Sequence, residues 1–102
     1  MSDDRRVVRH IIIHGRVQGV GYRAWAEDQA ILRELDGLVR NHRDGTVEAV
    51  FAGPADAVAE MIEACRKGPP SAHVTNMVET DAGPALLTQR RPGEAFSLLP
   101  TA

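Results

Sequence analysis

The stretch of this chain richest in chemistry is Gly15–Arg23, GRVQGVGYR. Three glycines fall within seven positions, between a β-branched run and a helical pattern. Such density demands backbone angles that other residues avoid, or close approach of something to the backbone. A helix N-terminus carries unpaired N–H groups and the positive end of the helix dipole. Glycines let successive N–H groups converge into a concave anion nest. Arg23, at the start of the helix, adds a planar guanidinium with several donors. The chemistry implied is the seating of a tetrahedral oxyanion, phosphate above all. No GK[ST] follows, so the loop is not of the Walker type, and the spacing is not that of a dinucleotide fingerprint. Taken alone, the glycines could also shape nothing more than a tight turn.

A second constellation is 37–53, GLVRNHRDGTVEAVFAG. Asn41 sits near the end of a strand, beside a turn. A turn-adjacent asparagine ordinarily satisfies its own backbone. Beside a bound phosphate, a neutral amide could instead hold and orient a water without needing to take its proton. Both readings stand at this point.

The elements that must position these residues follow from pattern. Residues 7–14, VVRHIIIH, read as a central strand, with His10 and His14 on one face. Residues 22–34 read as a helix whose Tyr22–Trp25–Ala26 face is interrupted by Gln29 and Arg33. Residues 37–42 form a short strand, and Asp44-Gly45 marks a hairpin. In the strand 46–52, Val47, Ala49 and Phe51 face one way and Thr46, Glu48 and Val50 the other. Residues 55–66 give the cleanest helix, with Val58, Met61, Ile62 and Cys65 in one stripe. Gly68-Pro69-Pro70 stops it. A strand over 72–81, a loop over 82–94 and a short strand at 96–99 complete the chain, while residues 1–6 are expected to fray. β-α-β therefore occurs twice around a hairpin. The expected fold is α+β, a ferredoxin-like split βαβ sandwich, with two helices on one face of an antiparallel sheet and the other face more open.

Composition bounds the function. One hundred and two residues make one domain, 1–102. The net charge is -2 and aromatics are 4%, against nucleic-acid binding by a basic surface or a stacking platform. No apolar run reaches membrane-spanning length, and the charged N-terminus has no signal core. The lone Cys65 cannot form an internal disulfide, which fits a cytoplasmic location, and it reads as a small apolar helix residue. His10, His14, His42 and His73 make no ligand pair at helical spacing, so no metal and no cofactor are expected. A monomer is the expectation for a domain this small.

The two constellations together resemble the acylphosphatase family. GRVQGVGYR is similar to its N-terminal signature at every characteristic position. Gly37, Leu38, Val39, Arg40, Asn41, Gly45, Val47 and Gly53 are similar to its second, and GPPSAHV at 68–74 resembles the loop after the family's second helix. The resemblance implies hydrolysis of an acyl phosphate to a carboxylate and inorganic phosphate, without metal. It implies that Arg23 clamps the phosphoryl oxygens, that the amides of Gln18, Gly19, Val20, Gly21 and Tyr22 share that work, and that Asn41 positions the attacking water. A chain of this length is expected to act alone rather than within a larger carbamoyl-transferring enzyme.

Four features depart from the family pattern. Leu38 stands where an aromatic is usual, which bears on substrate contact or local packing. Glu34 stands where the first helix usually ends in glycine, so either a left-handed cap there costs about 1 kcal/mol or the helix ends differently. Ile31 and Leu32 sit where polar residues are common, and Gln29 and Arg33 where apolar ones are, which would fit a small register shift of the helix. The last strand, AFSLLP, is irregular. The competing function is a non-catalytic anion-binding module on the same scaffold. Asn41 discriminates, because an anion binder needs the nest and Arg23 but no water-orienting amide.

Overall fold

The computed structural model describes residues 5–102. In chain order it contains β1 (Arg6–Arg16), α1 (Tyr22–Leu32), β2 (Asp36–Asn41), β3 (Val47–Pro54), α2 (Ala55–Cys65), β4 (His73–Asp81), a 3-10 helix (Pro84–Gln89) and β5 (Phe96–Leu98). The strands lie in the order β4-β1-β3-β2-β5. The four strands of the split βαβ plan pair antiparallel, as expected. β5 adds to β2 in parallel, so the complete sheet is mixed.

The frayed N-terminus expected over 1–6 needs correction where it can be seen; residues 1–4 lie outside the described residues. Arg6 opens β1 opposite Pro54. The Ala55 N–H, one of the unpaired donors at the start of α2, donates to the Arg5 carbonyl at 2.7 Å.

Alternation along the strands builds the core. Ile11 and Ile13 on β1, Val39 on β2, and Val47, Ala49 and Phe51 on β3 all point to the helices and are fully buried. From α2 the predicted stripe of Val58, Met61, Ile62 and Cys65 meets them. From α1 the buried positions are Tyr22, Ala26 and Ala30, spaced one turn apart, with Trp25 partly buried beside them. The helix has not shifted register to bury Ile31 and Leu32, which are 59% and 75% exposed. The polar residues on its inner side satisfy each other. Arg33 Nη1 donates to Gln29 Oε1 at 2.7 Å, and Arg33 Nε reaches Glu60 on α2 at 3.1 Å.

The second face is less open than the pattern suggests. Leu38, Val50 and Leu99 are buried there, with Val8, Leu86 and Leu87 packed against them. The 3-10 helix within the expected loop supplies Leu86 and Leu87. Leu38 therefore answers its own question. It lies on the face opposite Asn41 and serves packing, not substrate contact.

One topological fact positions the site. β1 and β2 both run antiparallel to β3 and flank it, so they run parallel to each other. Their C-terminal ends fall at the same edge of the sheet. The glycine loop leaves β1 and Asn41 ends β2 at that edge.

The end of α1 tests a local rule. Glu34 adopts φ 57, the only positive φ at a non-glycine residue among the described residues. The Leu35 N–H donates to the Ala30 carbonyl at 2.9 Å and the Glu34 N–H to the Ile31 carbonyl at 3.0 Å. This is a Schellman cap, and buried Leu35 and Ala30 supply its apolar contact. The bonds hold Glu34 where its Cβ is disfavoured. Glu34→Gly should raise stability by about 1 kcal/mol, a rise of roughly 4–8 °C in Tm by calorimetry. An unchanged or lowered Tm would show that the left-handed cap carries no strain.

Candidate active site

The loop from Val17 to Gly21 turns the chain from β1 into α1. Gly19 and Gly21 hold φ of 74 and 79, which few side-chain-bearing residues tolerate. Gly21 is also the N-cap of α1 and offers no side-chain cap. The amides of the first turn are thus left without a side-chain cap. Val17 is buried and Val20 packs against the core, which anchors the curl at two points.

A pocket of about 200 Å³ opens at this edge, lined by Val17, Gln18, Gly19, Gly21, Tyr22, Arg23, Ala24, Asn41 and Leu98. It gathers six of the seven residues singled out in sequence. Val20 is not part of that lining and contributes its side chain to packing. Tyr22 is buried, and its hydroxyl donates to the Cys65 carbonyl at 2.6 Å. Burial pushes the Tyr22 phenol far above its ordinary range and the Cys65 thiol up to about 12, so neither ionises near neutrality. The thiol is inert packing, as its sequence context suggests.

Arg23 extends along the pocket wall, and its Nη1 donates to the Leu99 carbonyl at 3.3 Å. Among the described residues no carboxylate pairs with it, so its charge is left unneutralised where it lines the pocket. The carbonyl comes from the chain just after β5. β5 is held to the core by Phe96, whose ring stacks on Phe51 at a centroid distance of 6.0 Å. Asn41 shares the helix face with Val39 and Val47. Its backbone carbonyl accepts from the Ala102 N–H at 2.9 Å. No hydrogen bond engages its carboxamide among the described residues. The turn is served instead by Asp44, whose Oδ1 accepts from the Thr46 N–H at 2.9 Å and from its hydroxyl at 2.7 Å. Asn41 is therefore not the backbone terminator that turn-adjacent asparagines ordinarily are.

Two contributions were not legible in the sequence. The first is the side chain of Gln18, read there only as an amide donor. Its Nε2 donates to the carbonyls of His42 and Thr46 at 2.7 and 2.8 Å, bracketing the hairpin turn. No periodicity marks a loop glutamine for that role. The second lies behind β2. Glu48 Oε1 meets Arg40 Nε at 2.7 Å and His42 Nε2 at 2.8 Å, and its Oε2 meets His10 Nε2 at 2.6 Å. Alternation alone put Glu48 on that face, but not with three partners. No group of three or more His, Cys, Asp or Glu residues is arranged to hold a metal ion among the described residues.

A larger cavity lies elsewhere. A groove of about 800 Å³ runs past the start of β1 and α2 and the end of β4. Its cations are largely compensated. Arg9 pairs with Glu79 and Asp81, and Arg66 with Glu79 and Glu63. Size and chemistry therefore point to opposite ends of the sheet, and the small pocket holds the glycine loop and the uncompensated guanidinium.

Fold and pocket together define a small α+β domain with a glycine loop, an arginine and an asparagine gathered at the N-terminus of α1. A profile of the acylphosphatase family matches residues 9–88. An acylphosphatase from Rhodopseudomonas palustris (strain BisB18) is 59% identical over 95 residues, covering 93% of this chain and 96% of the relative. The crystal structure of acylphosphatase from Bacillus subtilis superposes with a TM-score of 0.78 at 35% identity, covering 91% of this chain and 98% of that one. An acylphosphatase from Coxiella burnetii gives 0.81 at 26% identity, covering 97% and 98%. The chain belongs to the acylphosphatase family, hydrolases that act on acyl phosphates.

The Glu48 network makes a prediction about acid. Burial alone would raise this carboxyl, but hydrogen bonds from His42, Arg40 and His10 outweigh it and hold it at about 2, against an ordinary 4.5. The folded value lies below the unfolded one. Its stabilising contribution is therefore present above 4.5 and is lost as pH falls toward 2. Urea midpoints measured across that window should fall less steeply in Glu48→Gln than in the wild type. Parallel curves would remove Glu48 from the acid response.

Proposed function

We propose that this chain hydrolyses acyl phosphates with Arg23 and the amides of Gln18, Gly19, Val20, Gly21 and Tyr22 holding the phosphoryl group, and Asn41 orienting the attacking water. The observation that carries the proposal is the shared pocket. An uncompensated guanidinium, a glycine curl at a helix N-terminus and an unengaged carboxamide line one small cavity.

The chemistry asks little of a base. A mixed carboxylic–phosphoric anhydride is activated, and its carboxylate leaves readily. Water bonds to phosphorus as the bond to the acyl oxygen breaks. The products are a carboxylate and inorganic phosphate, and a proton passes to solvent. Arg23 and the loop amides stabilise the charge on the phosphoryl oxygens, and do so without reorganising. The Asn41 carboxamide fixes the water's position and direction, which removes much of the entropic part of the barrier. The same proposal has the domain acting as a monomer in the cytoplasm on a free small molecule, with no nucleic acid or membrane partner. Its buried free thiol, Cys65, suits a reducing compartment.

Benzoyl phosphate turnover tests the roles separately. Arg23→Ala should lower kcat/KM by about a thousandfold. Asn41→Ala should lower kcat by about a hundredfold while inhibition by inorganic phosphate stays within about twofold of wild type. Wild-type turnover in Asn41→Ala would show that the carboxamide does not orient the attacking water, and absence of turnover in the wild type would leave only an anion-binding role for the pocket. The proposed mechanism moves no proton to or from a side chain, so kcat should be flat from about pH 5.5 to 8 once substrate ionisation is allowed for. An inflection in that window that disappears on replacing His14 or His42 would contradict the mechanism.

A further inference from the structure

The residues on either side of Asn41 are held from behind the sheet. Arg40 and His42 flank Asn41 in sequence, and neighbours on a strand point to opposite faces. Asn41 shares the helix face with Val39 and Val47, while Arg40 sits opposite Glu48 in the β2–β3 register on the other face. Glu48 Oε1 accepts from Arg40 at 2.7 Å and from His42 at 2.8 Å. One carboxylate oxygen thus grips both neighbours of Asn41. The other oxygen accepts from His10 on β1 at 2.6 Å, which ties the grip to a third strand. A carboxylate has no proton to give, so each imidazole presents its Nε2–H, and it does so whether neutral or protonated. Arg40 Nη2 is steadied in turn by Gln89 Oε1 at 2.6 Å. The Glu48 side chain is only 13% exposed.

A buried, multiply paired carboxylate is not an economical way to hold three strands together. Apolar residues of similar volume would avoid its desolvation cost. What the ionic grip supplies is direction. A strand end rotates about its own axis, and such a rotation would swing the carboxamide of Asn41. Fixing Arg40 and His42 on the far face removes that freedom. Gln18 restrains the same hairpin from the near side through the carbonyls of His42 and Thr46.

We infer that Glu48 is a positioning residue for the hydrolysis, aiming the Asn41 carboxamide by gripping Arg40 and His42 behind it. This rests on the assignment of Asn41 to the attacking water. Among the described residues Glu48 bonds to His10, Arg40 and His42 and not to the loop 17–21 or Arg23, so its loss should act on turnover and not on phosphate binding.

The test is kinetic, on the purified full chain with benzoyl phosphate as substrate and inorganic phosphate as inhibitor, well below each variant's measured Tm. Glu48→Ala should lower kcat by about tenfold with KM and phosphate inhibition within about twofold of wild type. Glu48→Gln keeps an acceptor oxygen for Arg40 and His42 and should retain kcat within about threefold. Wild-type kcat in Glu48→Ala, with only Tm lowered, would make the residue merely structural and overturn the inference. So would a joint loss of kcat and phosphate inhibition, which would mean a general deformation of the site. A Glu48→Gln variant as slow as Glu48→Ala would assign the effect to charge and overturn it as well. If Glu48→Ala does not fold, Arg40→Met is read in its place. There, kcat about threefold lower at unchanged phosphate inhibition supports the inference, and wild-type kcat overturns it. Asn41→Ala separates the two levels. If it turns over at the wild-type rate, both readings fall. If it is inactive while Glu48→Ala is fully active, only the positioning role falls.

Discussion

Two hydrogen bonds from one loop side chain hold this site together. Gln18 donates to the His42 and Thr46 carbonyls, which join the curl after β1 to the hairpin after β2. The sheet brings the two segments to one edge, because β1 and β2 run parallel on either side of β3. Parallel strands set only the neighbourhood. The amide of Gln18 bonds the curl to the hairpin, and Arg23 and Asn41 line the one pocket between them. Under the proposed mechanism rate depends steeply on such placement, because the groups contribute position and charge but transfer no proton.

The pocket's electrostatics follow from which charges are left alone. In the groove at the far end of β1, arginines meet Glu79, Asp81 and Glu63, and the field largely cancels. At the loop, Arg23 spends one donor on the Leu99 carbonyl and meets no carboxylate among the described residues. The helix N-terminus adds its partial positive charge at the same place. A chain with net charge -2 thereby keeps a guanidinium without a carboxylate partner at this edge. Local compensation, not overall charge, sets the field at this edge of the sheet.

What the sequence disclosed divides along physical lines. Strong local signals were sufficient for the two helices, the Asp44-Gly45 hairpin and the alternation of Val47, Ala49 and Phe51, since each depends on near neighbours. The glycine spacing and Arg23 were legible because a positive φ at Gly19 and Gly21 requires that residue type. The cost of Glu34 in a left-handed cap could also be foreseen, since only that backbone position matters. Partnerships across the sheet could not. Gln18 with the hairpin carbonyls, Glu48 with His10, His42 and Arg40, and Leu86 and Leu87 over Leu38 are contacts between segments far apart in the chain. No periodicity encodes them. β5 was visible as a short strand, but its parallel pairing with β2, which brings the Leu99 carbonyl to Arg23, depends on the path of the whole C-terminal segment.

The central claim is that an oxyanion sits in the curl of backbone amides against Arg23. Titration of the ¹⁵N-labelled chain with inorganic phosphate, followed by NMR, tests it most directly. The account predicts saturable shifts concentrated in the amides of Gln18 to Tyr22 and in Nε of Arg23. Shifts that leave those signals in place and gather instead around Arg6, Arg9 and Arg66 would contradict it.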